Sequence, residues 1–485
     1  MFATDVKPLG AFRGLKVTVM GLGLFGGGKG VTEFLVKHRA TVTVTDKRAA
    51  GVLEPMLAEL RHLPVRWVLG EHHEEDFLEA DLVIPNPAVP RQHPLLEACR
   101  TRGVPLDTEM NLFFKYCGGR ICAVTGSNGK TTTTCLVGAM AARRWPNVRV
   151  GGNLGKSLLP EVETIRPEEW VVLELSSFQL DDLAGLPRRP EVSVVTNVSP
   201  NHLDRHGTYE AYLEAKRIIL QQSGPPNAAV LNGEDTLTRS WAGPGRRNIF
   251  FGRSGGIVPR AEGVWIDEDR GEVFLARDGS ITPLFTVSDV PLLGRFNVMN
   301  AAASAAAASA MRVEPAEIRE AVRGFRAVEH RLEFVVEHEG VQYFNDSIAT
   351  TPESTIAALE ALGPNVVVIC GGSSKGSSFR ALGEVISRRA RGVVLLGQTA
   401  EAIRSCIPER SGGPIVRTVS SLEEAVAEAH RVACSGDRVI LSPACASYDM
   451  FVNFEDRGRR FKEFARRLAG WNTRTPGAGT TPSSP

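Results

Sequence analysis

Residues 121–131 read Ile-Cys-Ala-Val-Thr-Gly-Ser-Asn-Gly-Lys-Thr: an apolar β-rich run, a glycine turn, then the opening of a helix. Glycines let backbone N–H groups turn inward onto phosphate oxygens, and the helix N-terminus adds its positive end. Such a loop needs a strand behind it and a helix in front of it, which predicts an α/β chain with a parallel sheet. Lys130 is placed for β- and γ-phosphates and the Thr131 hydroxyl for Mg2+, with Gly126, Asn128, Gly129 and Thr132 completing the cradle. Val124 stands where the usual loop has its first glycine.

The same alternation of short apolar runs and helical patterns continues through all 485 residues, a length that predicts about three domains. Residues 16–20, 41–45 and 81–84 read as strands and 31–37 as a helix, while the prolines of 85–90 demand a loop. Strands at 170–173 and 192–196 extend the unit that opens at Arg120. Residues 245–292, with short runs at 264–266 and 272–275, read as hairpins added at its edge. A third doubly wound set follows, with strands at 341–344, 366–369, 393–396 and 439–441 and a helix at 420–433. The expected organisation is a Rossmann-like domain over 1–115, a P-loop-type domain over 116–325, a second Rossmann-like domain over 326–471 and a disordered tail over 472–485.

Charge narrows the function. Lys and Arg total 56 against 55 Asp and Glu, a balance that argues against a nucleic-acid binder. No run of about 18 apolar residues occurs, so no membrane span is expected, and the alanine-rich stretch 301–311 reads as a buried helix. The N-terminus has no apolar core of a secretory signal. The eight cysteines form no C-x-x-C pair, which predicts buried free thiols and a cytoplasmic location.

Glu174 ends the apolar run 170–173 and can supply the acidic oxygen that Mg2+ needs beside Thr131. His202 follows another strand end, where α/β sites are built. Lys216 reads, on spacing alone, as a solvated helix lysine. In the first domain Gly21-Leu22-Gly23-Leu24-Phe25-Gly26 follows a strand and Asp46 ends the next one, a pattern suited to a diphosphate with a sugar beyond it, from NAD or equally a UDP-sugar. Lys47 and Arg48 add two cations. In the third domain the loops 345–347, 371–376 and 442–447 all follow apolar strands and should gather on one rim.

In this order the motifs closely resemble the Mur ligases, the ATP-dependent amide-forming enzymes of peptidoglycan precursor synthesis. The resemblance rests on Thr125-Gly126-Ser127-Asn128-Gly129-Lys130-Thr131, Gly152-Asn153-Leu154-Gly155, Glu174-Leu175-Ser176-Ser177, Asn201-His202-Leu203-Asp204, Asn297 with Asn300, His330-Arg331 and Asp346-Ser347. Residues 174–180 and 442–447 resemble the branch that adds D-glutamate to UDP-N-acetylmuramoyl-L-alanine. The resemblance implies catalysis by Lys130, Glu174, His202 and Lys216, with Lys216 carbamylated and two magnesium ions near Thr131, Glu174, His202 and Lys216. It implies Asn297, Asn300, Arg331 and Asp346 around ATP, and Gly23, Leu24, Phe25, Asp46, Lys47, Arg48, Pro87 and Asn153 around the UDP substrate. For D-glutamate it implies Thr350, Lys375, Ser447 and Phe454. A monomer is expected.

The sequence departs from the family at Ile348, where a lysine is common, at Asn201, where an aspartate is common, and at Ala88, where glycine is common. Isoleucine cannot grip a carboxylate, so Lys375 or another cation must compensate. Two other readings use part of the pattern. A ligase like folylpolyglutamate synthase, or another Mur ligase, shares the loop and the lysine. An NAD-binding dehydrogenase or sensor fused to an NTPase uses Gly21–Gly26 and Asp46 but leaves the third domain's rim without a role.

Overall fold

In the computed structural model, described for residues 8–23, 26–154, 157–221, 227–255, 261–292, 294–326, 328–373 and 377–470, the glycine loop leaves strand Arg120–Thr125 and enters helix Lys130–Arg144. The strand is completely buried beyond its first residue, as a continuous apolar run in a parallel sheet should be. It lies between Val192–Val195 on one side and Trp170–Glu174 on the other, so the strand order reverses at the loop. That reversal opens the crevice in which α/β proteins bind ligands.

Among the described residues the surrounding sheet has nine strands. From Gly263–Asp267 through to Arg149–Gly152 seven of them are parallel, and Glu272–Arg277 and Ser280–Thr286 close the other edge antiparallel. This corrects the hairpin reading of 245–292 at one point. Strand Arg247–Arg253 is not half of a hairpin but pairs parallel with both Ala228–Asn232 and Gly263–Asp267. Local alternation cannot tell the two apart, because the partner strands are chosen by tertiary contact.

The first domain carries a four-stranded parallel sheet in the order Val65–Leu69, Thr41–Asp46, Lys16–Met20, Leu82–Pro85. Pro85 ends an edge strand, where a missing N–H costs no ladder bond. One hydrophobic core runs from this sheet (Val17, Val42, Ile84) through helix Glu109–Tyr116 to Ile121, Val171 and Leu173 of the nine-stranded sheet. Residues 1–290 and 296–325 accordingly form one compact unit, and 291–295 with 326–485 form a second.

The second unit holds a six-stranded sheet, ordered Glu333–His338, Val341–Asn345, Arg438–Leu441, Val366–Cys370, Ala390–Leu395, Ile415–Thr418. All neighbours are parallel except the first pair. The alanine-rich helix Arg295–Ala310 is buried along most of its length, as its composition predicts. The cysteines are free, and five of the eight are buried. No helix among the described residues is long and apolar enough to cross a membrane. Residues 472–485 lie outside the described part.

Candidate active site

The loop is clamped before any ligand is considered. Gly129 takes the left-handed conformation at φ 78° directly before the helix, and a Cβ there would overlap the Asn300 amide. Asn300 in turn donates to Asn297 Oδ1 (3.0 Å), both residues being buried on helix Arg295–Ala310. On the other flank Asn197 Oδ1 accepts from the Asn128 N–H (2.9 Å), while Thr196 and Asn197 both donate to the Asn128 carbonyl. The Ser127 hydroxyl bonds the Ser199 carbonyl (2.9 Å) and the Tyr212 hydroxyl (2.7 Å).

Three charged groups meet at this loop. Lys130 Nζ donates to the carbonyls of Gly126 and Ser127, both at 3.0 Å. Glu174, 2% exposed, accepts from the Thr131 hydroxyl (2.7 Å) on one oxygen and from the Asn153 amide (2.9 Å) on the other. Lys216, also 2% exposed, donates to the Gly126 carbonyl (2.8 Å) and lies 4.8 Å from the centre of the Tyr212 ring. Burial, reinforced by the like charge of Lys130 and opposed by Glu174, holds the Lys216 amine well below the ordinary lysine range. The solvated-lysine reading of Lys216 therefore fails. On helix Tyr209–Arg217 the buried residues are Tyr212, Ala215 and Lys216, so the lysine occupies the apolar face.

The fit to magnesium follows from the donor chemistry. Both oxygens of Glu174 are held by neutral donors, which leaves the carboxylate's negative charge beside a threonine hydroxyl, the hard-oxygen pair Mg2+ takes. His202 lies in the next loop at φ 54° and is exposed, its ring edge-on to Phe178 at 5.1 Å. Phe178 belongs to the short helix Ser177–Asp182, which starts with a reciprocal Ser176–Gln179 capping box. The Ser-Ser-Phe-Gln run after Glu174 thus has a structural role of its own: it turns the chain sharply away from the strand end.

The first domain's glycine turn is tied to the end of the neighbouring strand. The Gly23 N–H donates to Asp46 Oδ2 (3.1 Å), and the other oxygen takes the Arg48 N–H (2.9 Å), so Asp46 ties both loops at a strand end. Leu24 and Phe25 lie outside the described residues. Arg205 donates to the carbonyls of Pro87 and Val89 (3.1 Å for the latter) and rests 3.9 Å from the Phe178 ring centre, which holds the proline loop against the central domain. Sequence reasoning missed Arg205, Asn197 and Tyr212. Each acts on a partner distant in sequence, and none has a local signature.

In the second unit the three loops do share a rim. Asp346 N–H donates to the Leu441 carbonyl, Gly371 N–H to that of Pro443, and Ser373 bridges Ala446. Asp346 is buried; its oxygens accept from the Ser442 hydroxyl (2.8 Å) and the Leu332 N–H (3.2 Å). Burial pushes its carboxyl up to about 7, against the opposing Ser442 bond and Arg331 charge. Arg331 Nε is buried without a protein partner. Ser447 is buried on the rim, Thr350 follows Asp346 in the first loop, and Phe454 opens helix Phe454–Leu468. Lys375 lies outside the described residues.

The rim also contains a residue that sequence reasoning missed. Arg457, 2% exposed, donates to the Ser347 hydroxyl (3.0 Å) and carbonyl (2.8 Å) and to the carbonyls of Cys445 (3.2 Å) and Ala446 (3.4 Å). Ser347 passes the link to the Phe454 carbonyl at 2.7 Å. One guanidinium therefore joins two of the rim's loops to helix Phe454–Leu468. Its signal was available: Arg457, Phe461 and Ala465 fall at i, i+4 and i+8, on the buried face of a helix that is otherwise strongly charged.

These features define an α/β protein with a phosphate-binding loop and a carboxylate suited to Mg2+, and comparison with known proteins supplies the family. The Mur ligase middle domain matches residues 124–308, the Mur ligase glutamate ligase domain 330–445, and the MurD-like N-terminal domain 15–107. The chain is 41% identical over 458 residues to a UDP-N-acetylmuramoylalanine--D-glutamate ligase from Roseiflexus sp., covering 93% of this chain and 98% of that protein. It is 39% identical over 457 residues to the protein of that name from Symbiobacterium thermophilum, covering 94% and 98%. The fold resembles that of a UDP-N-acetylmuramate-alanine ligase MurC from Thermotoga maritima (TM-score 0.59, 21% identity, covering 94% and 100%). It also resembles a MurF ligase from the same organism in complex with ADP (TM-score 0.57, 18% identity, covering 96% and 98%). The chain belongs to the Mur ligase family. Within it, the chain falls in the MurD group, ligases of peptidoglycan precursor synthesis that use ATP and Mg2+.

Proposed function

We propose that this chain joins D-glutamate to the L-alanyl carboxylate of UDP-N-acetylmuramoyl-L-alanine through an acyl phosphate, releasing ADP and phosphate. The observation that carries the chemistry is the meeting of Lys130, Thr131, Glu174 and Lys216 around one loop. The relatives' names, at about 40% identity over nearly the whole chain, support the substrates. The working division is a UDP-substrate domain over 1–115, an ATP domain over 116–325 and an amino-acid domain over 326–471, in a monomer of the cytoplasm.

The carboxylate oxygen of the substrate attacks the γ-phosphorus of ATP, the bond to the β-phosphate oxygen breaks, and ADP leaves. Such a transfer is catalysed mainly by positioning and by neutralising charge. Lys130 swings from its loop carbonyls to the β- and γ-oxygens, and the N–H groups of residues 126–131 orient them. Thr131, Glu174, His202 and Lys216 would hold magnesium, two ions in this reading, which would supply further charge neutralisation for the transfer. The neutral amine of D-glutamate then attacks the acyl carbon, and phosphate leaves from the tetrahedral intermediate.

Lys216 serves as a carbamate. Its lowered proton affinity leaves a neutral amine, which adds CO2 and releases one proton; the resulting anion suits a site shared with Lys130 and metal. Asn297, Asn300, Arg331 and Asp346 surround the nucleotide. Gly23, Leu24, Phe25, Asp46, Lys47, Arg48, Pro87 and Asn153 take the UDP substrate. Thr350, Lys375, Ser447 and Phe454 take D-glutamate, with Lys375 as its cation because Ile348 offers none.

The test is phosphate release from ATP with UDP-N-acetylmuramoyl-L-alanine and, in turn, D-glutamate, L-glutamate, D-aspartate, D-lysine or no amino acid. Release that depends on D-glutamate is the expected result. Equal release with another amino acid, or with none, overturns the substrate assignment.

A further inference from the structure

The second unit carries a side-chain cluster that the ligase chemistry does not use. Strand Glu333–His338 turns into strand Val341–Asn345 through Glu339 and Gly340, both left-handed at φ 52° and 75°. Two consecutive positive φ values are the mark of a tight hairpin whose twist matches its strands. The turn brings His338 and Glu339 against His430 in the last turn of helix Leu422–Val432. His430 Nε2 lies 3.3 Å from one Glu339 oxygen and His338 Nε2 3.8 Å from the other. All three ligand atoms fall within 4.8 Å of one another.

From this geometry we infer a transition-metal site of the Zn2+ class, formed by His338, Glu339 and His430, with its fourth position open to solvent. Tetrahedral zinc with nitrogen and oxygen ligands near 2.0–2.1 Å requires ligand atoms about 3.3 Å apart. The observed 3.3 and 3.8 Å, to the two oxygens of Glu339, and ligand atoms all within 4.8 Å of one another, are closed to that spacing by side-chain rotation. Two imidazoles and one carboxylate select zinc and its neighbours over magnesium, which takes oxygen ligands. An outer partner is already in place. The Tyr343 hydroxyl lies 2.7 Å from His430 Nδ1. When that nitrogen donates its proton to the hydroxyl oxygen, the Nε2 lone pair is free to bind metal.

A second histidine–carboxylate cluster, at the other end of strand Glu333–His338, shows why this one is chosen. Glu329, His330 and Glu333 also converge, but Lys462 Nζ already lies 2.5 Å from Glu329 and 3.0 Å from Glu333. His330 Nδ1 is meanwhile engaged by Asn345 at 2.8 Å. The His338–Glu339–His430 cluster sits at the opposite end of the sheet from the Asp346 rim, because strand Val341–Asn345 starts at the turn and ends beside Asp346. Metal there ties the hairpin turn to helix Leu422–Val432 and takes no part in phosphoryl transfer.

The experiment is Zn2+ titration of the untagged, chelator-treated full chain, without nucleotide, against a chromogenic competitor. It compares wild type, His338→Gln/His430→Gln and Glu339→Asn, the last being a residue that tolerates the left-handed turn. The wild type is expected to take up one more equivalent of zinc than the double variant, and Glu339→Asn to bind that equivalent at least tenfold more weakly. With Co2+ as the probe, the wild type alone should show the visible bands of a four-coordinate site. Equal zinc uptake by all three proteins overturns the inference, as does a wild-type Co2+ spectrum identical to that of the double variant. Should the double variant melt early in chelator, Glu339→Asn decides.

Discussion

Lys216 and Arg457 are the same kind of anomaly in two different regions. Each is a cation on the apolar face of a helix, and each is 2% exposed. Their surroundings differ. Lys216 faces a carbonyl and an aromatic ring and senses the charges of Lys130 and Glu174, and its proton affinity falls far. Arg457 faces one hydroxyl and three carbonyls, and burial lowers its proton affinity only to about 10. An arginine at that value stays charged at neutral pH, whereas a lysine so displaced can become a nucleophile. Burial thus loosens one cation's hold on its proton and leaves the other a charged fastener.

The comparison breaks most visibly at the charge of the central loop. Glu174→Gln keeps the shape of the side chain and removes its charge; turnover should fall on the order of 10³-fold, the scale of losing a key electrostatic group. A fall of less than tenfold in kcat would show that the carboxylate is a strut and not part of the chemistry. Lys216→Ala should cost on the order of 10²-fold, and added formate or acetate should recover part of it by replacing the carbamate anion. Recovery by a small amine and not by a carboxylate would mean that Lys216 works as a cation.

Arg457→Met tests the fastener. It removes the donors of four hydrogen bonds and leaves buried acceptors without partners, a loss of about 3 kcal/mol. The melting transition of the second unit should drop by roughly 10 °C, with a raised KM for D-glutamate. Arg457→Lys should restore little, because an ammonium cannot span both loops as the planar guanidinium does. An unchanged melting point would place the rim's rigidity elsewhere.

The smallest effect concerns Asp346. Its carboxyl is raised to about 7 from an ordinary 3.8, so between those values the folded chain keeps a proton that the unfolded chain has released. Stability from this group therefore falls as pH rises through that window and levels off above it. The unfolding free energy of wild type minus that of Asp346→Asn should fall steadily from pH 4 to 7 in denaturant titrations. A difference flat with pH would mean that Asp346 stays ionised.

Legibility followed the range of the interactions. Residues 120–131 predict strand, loop and helix because every requirement lies within a dozen positions, and Arg120–Thr125 and Lys130–Arg144 fall where expected. Glu174 could be placed at a strand end for the same reason. Strand Arg247–Arg253 reads locally as part of a hairpin, yet its neighbours come from residues 228–232 and 263–267, and nothing local names them. Lys216 and Arg457 left a trace in helical periodicity, a cation at an apolar position, but periodicity does not say what the cation meets.

The sequence by itself determined the α/β class, the loop chemistry and the order of the motifs, since backbone propensity, glycine freedom and strand-end placement are local properties. Only the tertiary structure decided that Asn300 would wall in Gly129, that Lys216 would lose its solvent, and that one arginine would join two loops. Those outcomes depend on desolvation and on partners dozens to more than a hundred residues away, and both arise only when the chain is packed.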